Sequence, residues 1–79
     1  MRYNKLIKLD KEFPTKGIYS EYDHEFQEIK VFLKTNPKTY CWIFYEDKKY
    51  VLCYPTFADE IMITQDVDEL INKVIELNE

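Results

Sequence analysis

The stretch YCWIFYEDKKYVLCYPTF, residues 40–57, constrains the fold more than any other part of the chain. Two runs rich in aromatic and β-branched residues, TYCWIFYE and KYVLCY, flank a charged knot around Asp47-Lys48, the pattern of a β-hairpin. No Asn-Gly or Asp-Gly stands at its centre, so turn type and register stay open. If Tyr45 pairs with Tyr50, Cys41 and Cys53 point to opposite faces. A loop one residue longer puts them on the same face, because such a slip exchanges the faces of the whole second strand.

Tyr40-Cys41-Trp42-Ile43-Phe44-Tyr45 is apolar on both faces, and one buried face cannot account for that. Two helices on one side of a four-stranded sheet leave the other side to a loop, a second copy or a partner. The alternative is a sheet straddled by its helices, with all of these rings in the core. Tyr40, Tyr45, Tyr50 and Tyr54 suit a surface that is partly wet and partly buried.

Periodicity supplies the remaining elements. Residues 2–10, RYNKLIKLD, alternate imperfectly, with Tyr3, Ile7 and Leu9 on one face and Lys5 as the exception, which predicts a first strand. PTKG at 14–17 predicts a turn around the only glycine. Tyr22, Phe26, Ile29 and Leu33 follow at helical spacing and predict a helix over 20–35. Ser20 is its candidate N-cap, with Glu21, Asp23 and Glu25 in the first turn, Lys30 and Lys34 near the other end, and Asn36-Pro37 as the stop. EIMIT at 60–64 predicts another strand. Val67, Leu70, Ile71, Val74 and Ile75 predict a second amphipathic helix, opened by Asp66-Val-Asp-Glu69 as a capping box.

The expected architecture is one α+β domain over residues 1–79, ordered β-α-β-β-β-α, with a mostly antiparallel sheet and two amphipathic helices. Its 79 residues are 46% hydrophobic and 16% aromatic, enough for a core, and a single Gly with three Pro implies tight connections rather than disorder. MRYNKLIKLDKE has no apolar run resembling a signal peptide, and no run is long enough to span a bilayer. Two cysteines are few for a small secreted domain, so the expectation is reduced thiols in a cytoplasmic protein with no membrane association.

Charge is divided along the chain. Residues 1–38 carry eight basic groups against six acidic ones, and residues 39–79 carry three against nine, giving +2 and −6. Nucleic-acid binders concentrate basic charge to neutralise phosphates, so the C-terminal half argues against that class. The N-terminal lysines could still touch a phosphate. Asp59, Glu60, Asp66, Asp68, Glu69, Glu76 and Glu79 face Lys73 alone in the last third, and such a run is either a solvated face or a surface that steers a basic partner.

Signals for chemistry are thin. His24 and Glu28 would form an i, i+4 pair on the polar side of the first helix, without a second histidine to complete a metal site. Cys41 and Cys53 lack both CxxC spacing and a histidine partner in sequence. Asp66-Val-Asp68 is followed by Leu70 where a calcium loop needs an oxygen ligand, Ile71 where it needs a Gly and Leu77 where it needs a Glu. One glycine cannot build a phosphate-cradling loop. No catalytic residue, cofactor or metal is expected.

TYCWIFYEDKKYVLCYPTF followed by ITQDVDELINKVIE resembles the hairpin–strand–helix unit of HicB-type antitoxins, over residues 38–78. The aromatic-Pro pair is Tyr54-Pro55, and the Thr/acidic segment that opens the helix runs from Thr64 to Asp68. The glycines that the family places after the Pro and before the helix are absent here, and residues 1–37 have no counterpart. The resemblance implies a protein that binds and neutralises another protein.

These readings converge on a small acidic non-enzymatic binding protein, an inhibitor or antitoxin-like neutraliser of a basic, nucleic-acid-handling protein. Its expected contact residues are Trp42, Tyr45, Tyr50 and Tyr54 as anchors, with Asp59, Glu60, Asp66, Asp68 and Glu69 as an acidic rim. The alternatives are a homodimeric assembly module, and a nucleic-acid binder using N-terminal lysines and aromatic stacking.

Overall fold

A computed structural model describes residues 4–35 and 39–79. It is an α+β fold in which a helix comes first. Helix α1 (Lys5–Asp10) and one turn of 3-10 helix (Pro14–Lys16) precede five strands: β1 (Tyr19–Asp23), β2 (Glu28–Leu33), β3 (Thr39–Glu46), β4 (Lys49–Cys53) and β5 (Glu60–Thr64). Helix α2 (Val67–Leu77) closes the chain. The strands form one antiparallel sheet in the order β1-β2-β3-β4-β5, a meander with each strand beside its sequence neighbour.

Two expected elements exchange type. Residues 5–10 are helical rather than extended: Asn4 caps α1 by accepting from the Leu6 and Ile7 N–H groups, and Leu6 and Leu9, three residues apart, are buried together. Tyr3 lies outside the described residues. The segment 20–35 is a hairpin instead of a helix. Ile29, Val31 and Leu33 are buried at period two, while Phe26, assigned by helical spacing to the core stripe, is 66% exposed in the connection. Asp23 Oδ1 accepts from the Glu25 and Phe26 N–H groups, so the short polar side chain shapes a turn there. Ser20, expected as an N-cap, donates through Oγ to the Asp10 carboxylate at 2.5 Å and ties β1 to the end of α1. Asn36-Pro37, expected as the helix stop, lies outside the described residues.

The other elements follow the expected boundaries. Tyr45 pairs with Tyr50, and Asp47 and Lys48 both take positive φ, 51° and 62°, the two-residue turn whose twist suits a hairpin. Gly17 also takes a positive φ, 74°, at the end of the 3-10 turn, where a side chain would be strained. Asp66 caps α2 by accepting from the Asp68 and Glu69 N–H groups. The reciprocal half of a capping box is replaced, because the Asp66 N–H donates to Thr64 Oγ1 at 3.0 Å.

Both helices pack on the same side of the sheet. Leu6, Leu9 and Phe13 from the first segment and Leu70, Ile71 and Val74 from α2 share one core with Ile29, Val31, Leu33, Cys41, Ile43 and Leu52. Leu33, Ile43, Tyr45 and Leu52 lie on the helical face by strand alternation; Trp42, Phe44, Val51 and Cys53 lie on the other.

Candidate functional site

The face opposite the helices is built rung by rung, because directly paired residues share a face. One rung is wholly aromatic: Tyr19 pairs with Phe32, and Phe32 with Tyr40. The next runs Glu21, Lys30, Trp42, Cys53 and Glu60. The one beyond begins with Asp23 opposite Glu28 and continues through Phe44, Val51 and Ile63. Phe57, on the β4–β5 connection, reaches back to Trp42. That connection is held by the Tyr54 N–H donating to the Asp59 carbonyl at 2.9 Å and by Thr56 Oγ1 donating to Asp59 Oδ2 at 2.6 Å.

Five rings therefore form one connected row. Centroids are 4.9 Å apart for Tyr19–Phe32, 5.2 Å for Phe32–Tyr40, 5.5 Å for Tyr40–Trp42 and 6.4 Å for Trp42–Phe57, the last three edge-to-face. Tyr19 and Phe57, at the two ends, are 60% and 69% exposed. Lys30 Nζ lies 5.0 Å from the Tyr40 ring centroid, a cation over a π-face in the middle of the row. Ile61 and Ile63 extend exposed apolar surface along β5.

Carboxylates flank the row: Glu21, Asp23, Glu28, Glu46 and Glu60 lie on this face against Lys30 and Lys49. Among the described residues none of the five forms an ion pair; the pair found there is Lys73–Glu76 on α2. Partial burial and the charge of Asp23 push the Glu28 carboxyl up, against a smaller pull from Lys30. Burial pushes the Cys53 thiol up, and Glu60, Asp59, Glu28 and Glu46 add to it, so Cys53 registers a negative field on the open face. Tyr19 donates its hydroxyl to Glu21 Oε1 at 2.6 Å, and that bond with the adjacent charge holds the phenol above its ordinary range.

The expected contact residues are divided between the two sides. Trp42 stands in the aromatic row. Tyr45 and Tyr50 lie on the helical face with their rings 4.9 Å apart, Tyr50 buried, and Tyr54 packs against the same core. Asp59 and Glu60, at the start of β5, border the open face. Asp66, Asp68 and Glu69 sit beyond the other end of β5, at the N-terminus of α2, where Asp66 is committed to capping. The structure adds Tyr19, Phe32, Tyr40, Phe57 and the carboxylates of the β1–β2 pair. Strict alternation across residues 28–33 was the signal that could have found the last group.

His24 and Glu28 do not share a helix face. His24 stands in the β1–β2 connection with its ring edge-on to Tyr22 at 4.8 Å, on the helical side, whereas Glu28 is on the open face. His24 borders a cleft of about 630 Å³ with Asn4, Lys5, Tyr22 and Tyr45, in which Asn4 Nδ2 donates to the Tyr22 hydroxyl at 2.7 Å. Among the described residues no group of three His, Cys, Asp or Glu side chains could hold a metal ion. Cys41 and Cys53 are free, buried and on opposite faces. Among the described residues no helix is long and apolar enough to cross a membrane.

The chain matches no family model, no curated protein and no solved structure.

Proposed function

We propose that the protein is a non-enzymatic binding protein that neutralises a basic, nucleic-acid-handling protein in the cytoplasm, in the manner of an antitoxin. The observation that carries this reading is the uncovered sheet face, where five connected rings lie among carboxylates that lack ion-pair partners among the described residues. Large aromatics supply most of the energy of protein interfaces, and fixed charge sets partner choice and encounter rate. The resemblance of residues 38–78 to HicB-type antitoxins points the same way.

A homodimeric assembly module is the second reading, favoured by Ile61 and Ile63, 40% and 55% exposed beside the row. Binding of nucleic acid draws less support, because Lys5 and Lys8 belong to α1 on the helical side, and Lys30, which does lie on the row, stands there among carboxylates.

Affinity capture from a nuclease-treated lysate of the source organism, at low and moderate salt, tests the proposal. A stoichiometric basic protein, released as salt rises, is the expected result. Recovery of nothing but the bait's own copies would sink the neutraliser and leave the assembly module.

A further inference from the structure

The occupant of the open face can be narrowed by its charge, resting on the binding reading above. We propose that this face receives an extended segment of the partner carrying two arginines about six residues apart, one beside Glu21 and one beside Glu60, with apolar side chains between them over Trp42.

Three observations lead there. A cation already rests on the row, since Lys30 Nζ sits over Tyr40, so these rings accept positive charge in this setting. Asp23 stands directly opposite Glu28, a like-charge pair that Lys30 offsets only in part. Carboxylates without an ion-pair partner among the described residues also stand at both ends of the middle rung, Glu21 on β1, which accepts from the Tyr19 hydroxyl, and Glu60 on β5.

The same charges dispose of other occupants. Counting the described residues, a second copy would set five carboxylates and two lysines against the same set, and a nucleic acid or an anionic lipid surface would bring more negative charge to a negative face. Guanidinium suits the site better than ammonium. It is planar, stacks on aromatic rings and forks onto a carboxylate through two N–H groups.

The spacing follows from sheet dimensions. Four inter-strand steps separate Glu21 on β1 from Glu60 on β5, about 19 Å at the usual strand separation. An extended chain covers that in about six residues, which also brings both arginines to the same side of the segment.

Trp42 is the only tryptophan in the chain, so its fluorescence reads this face directly. The probe is the peptide Arg-Thr-Leu-Thr-Leu-Thr-Arg, compared with versions carrying Lys or Glu at both ends. The arginine peptide should shift Trp42 emission saturably and bind several-fold more tightly than the lysine peptide, and the glutamate peptide should not bind. The double variant Glu21→Gln/Glu60→Gln should weaken the arginine peptide about tenfold, while Asp68→Asn/Glu69→Gln on α2 should leave it unchanged. Circular dichroism confirms that the variants fold.

Peptide heat in calorimetry without change at Trp42, or loss only in the α2 variant, overturns the assignment to this face and leaves a basic partner standing. No binding of either cationic peptide overturns the inference, whereas the binding reading fails separately if lysate capture yields no basic protein. An emission shift with oligo-thymidine but not with the arginine peptide assigns the face to nucleic acid. Dimerisation by sedimentation that quenches Trp42 assigns it to a second copy. Either result overturns the proposal.

Discussion

Asp23 and Glu28 face each other across the β1–β2 pair, two carboxylates directly opposed on the open side of the sheet. Burial and the Asp23 charge hold the proton of Glu28 to a higher pH than in the unfolded chain. Folding therefore favours the protonated form, and the contribution of this group to stability falls as pH rises from the ordinary carboxylate range through the raised value. Glu28→Gln should stabilise the protein by about 0.5 kcal/mol at neutral pH, the usual scale of a cross-strand pair. The gain should shrink at acidic pH, where the wild-type carboxyl takes up its proton. Urea denaturation at the two pH values measures both, and a variant less stable at neutral pH would contradict the assignment.

Phe13 and Phe57 separate the core from the proposed contact surface. Phe13 is fully buried between the first helical segment and the sheet, and Phe57 is 69% exposed at the end of the row. Phe13→Ala should cost about 3–5 kcal/mol, enough to unfold a marginal domain. Phe57→Ala should stay within about 0.5 kcal/mol of the wild type and still weaken capture of the partner. Chemical denaturation and capture with the two variants check the pair.

The hairpin at 39–53 is legible from two aromatic and β-branched runs around a charged turn, the strand at 60–64 from a short β-branched run, and the helix at 67–77 from a single helical period behind its cap. Asp47-Lys48 marks that turn and Asp66 that cap. Residues 20–35 satisfied two periods at once. Tyr22, Phe26, Ile29 and Leu33 fit a helix, while Ile29, Val31 and Leu33 fit a strand, and pairing with β3 on one side and β1 on the other decided for the strand. Asp23 added to the ambiguity, since a carboxylate that accepts from N–H groups two and three residues on can open a helix or shape a turn. That choice hid the site. Without β1 and β2, the sequence shows no connection from Trp42 to Tyr19 and Phe32, and the other three expected anchors are tyrosines that pack toward the helices.

Cys41 and Cys53 yield a prediction about reactivity. Burial pushes the Cys41 thiol up to about 12, and burial with neighbouring carboxylates raises Cys53 as well. Thiolate is the reactive form, so at about pH 8 roughly one Cys41 in ten thousand is ionised, and its sulfur is enclosed. Iodoacetamide should leave both residues unmodified in the native protein and label both in urea, as mass spectrometry would show. Mild oxidation should not join them, because the sheet separates their side chains. A native intramolecular disulfide would contradict the register in which Tyr45 pairs with Tyr50.

Asp66 tests whether the acidic residues of α2 serve the fold or the partner. Its carboxylate accepts from the Asp68 and Glu69 N–H groups, two donors at the helix start that would otherwise lack partners. Asp66→Ala should cost about 1 kcal/mol and lower the melting midpoint by about 4–8 °C. Asp66→Asn keeps the accepting oxygen and removes the charge, so it should keep nearly all of the stability. Both variants should capture the partner as the wild type does, since Asp66 sits at the N-terminus of α2 and the rings line the open face of the sheet. If Asp66→Asn folds normally but loses the partner, the contact surface includes the start of α2 and extends beyond the aromatic row.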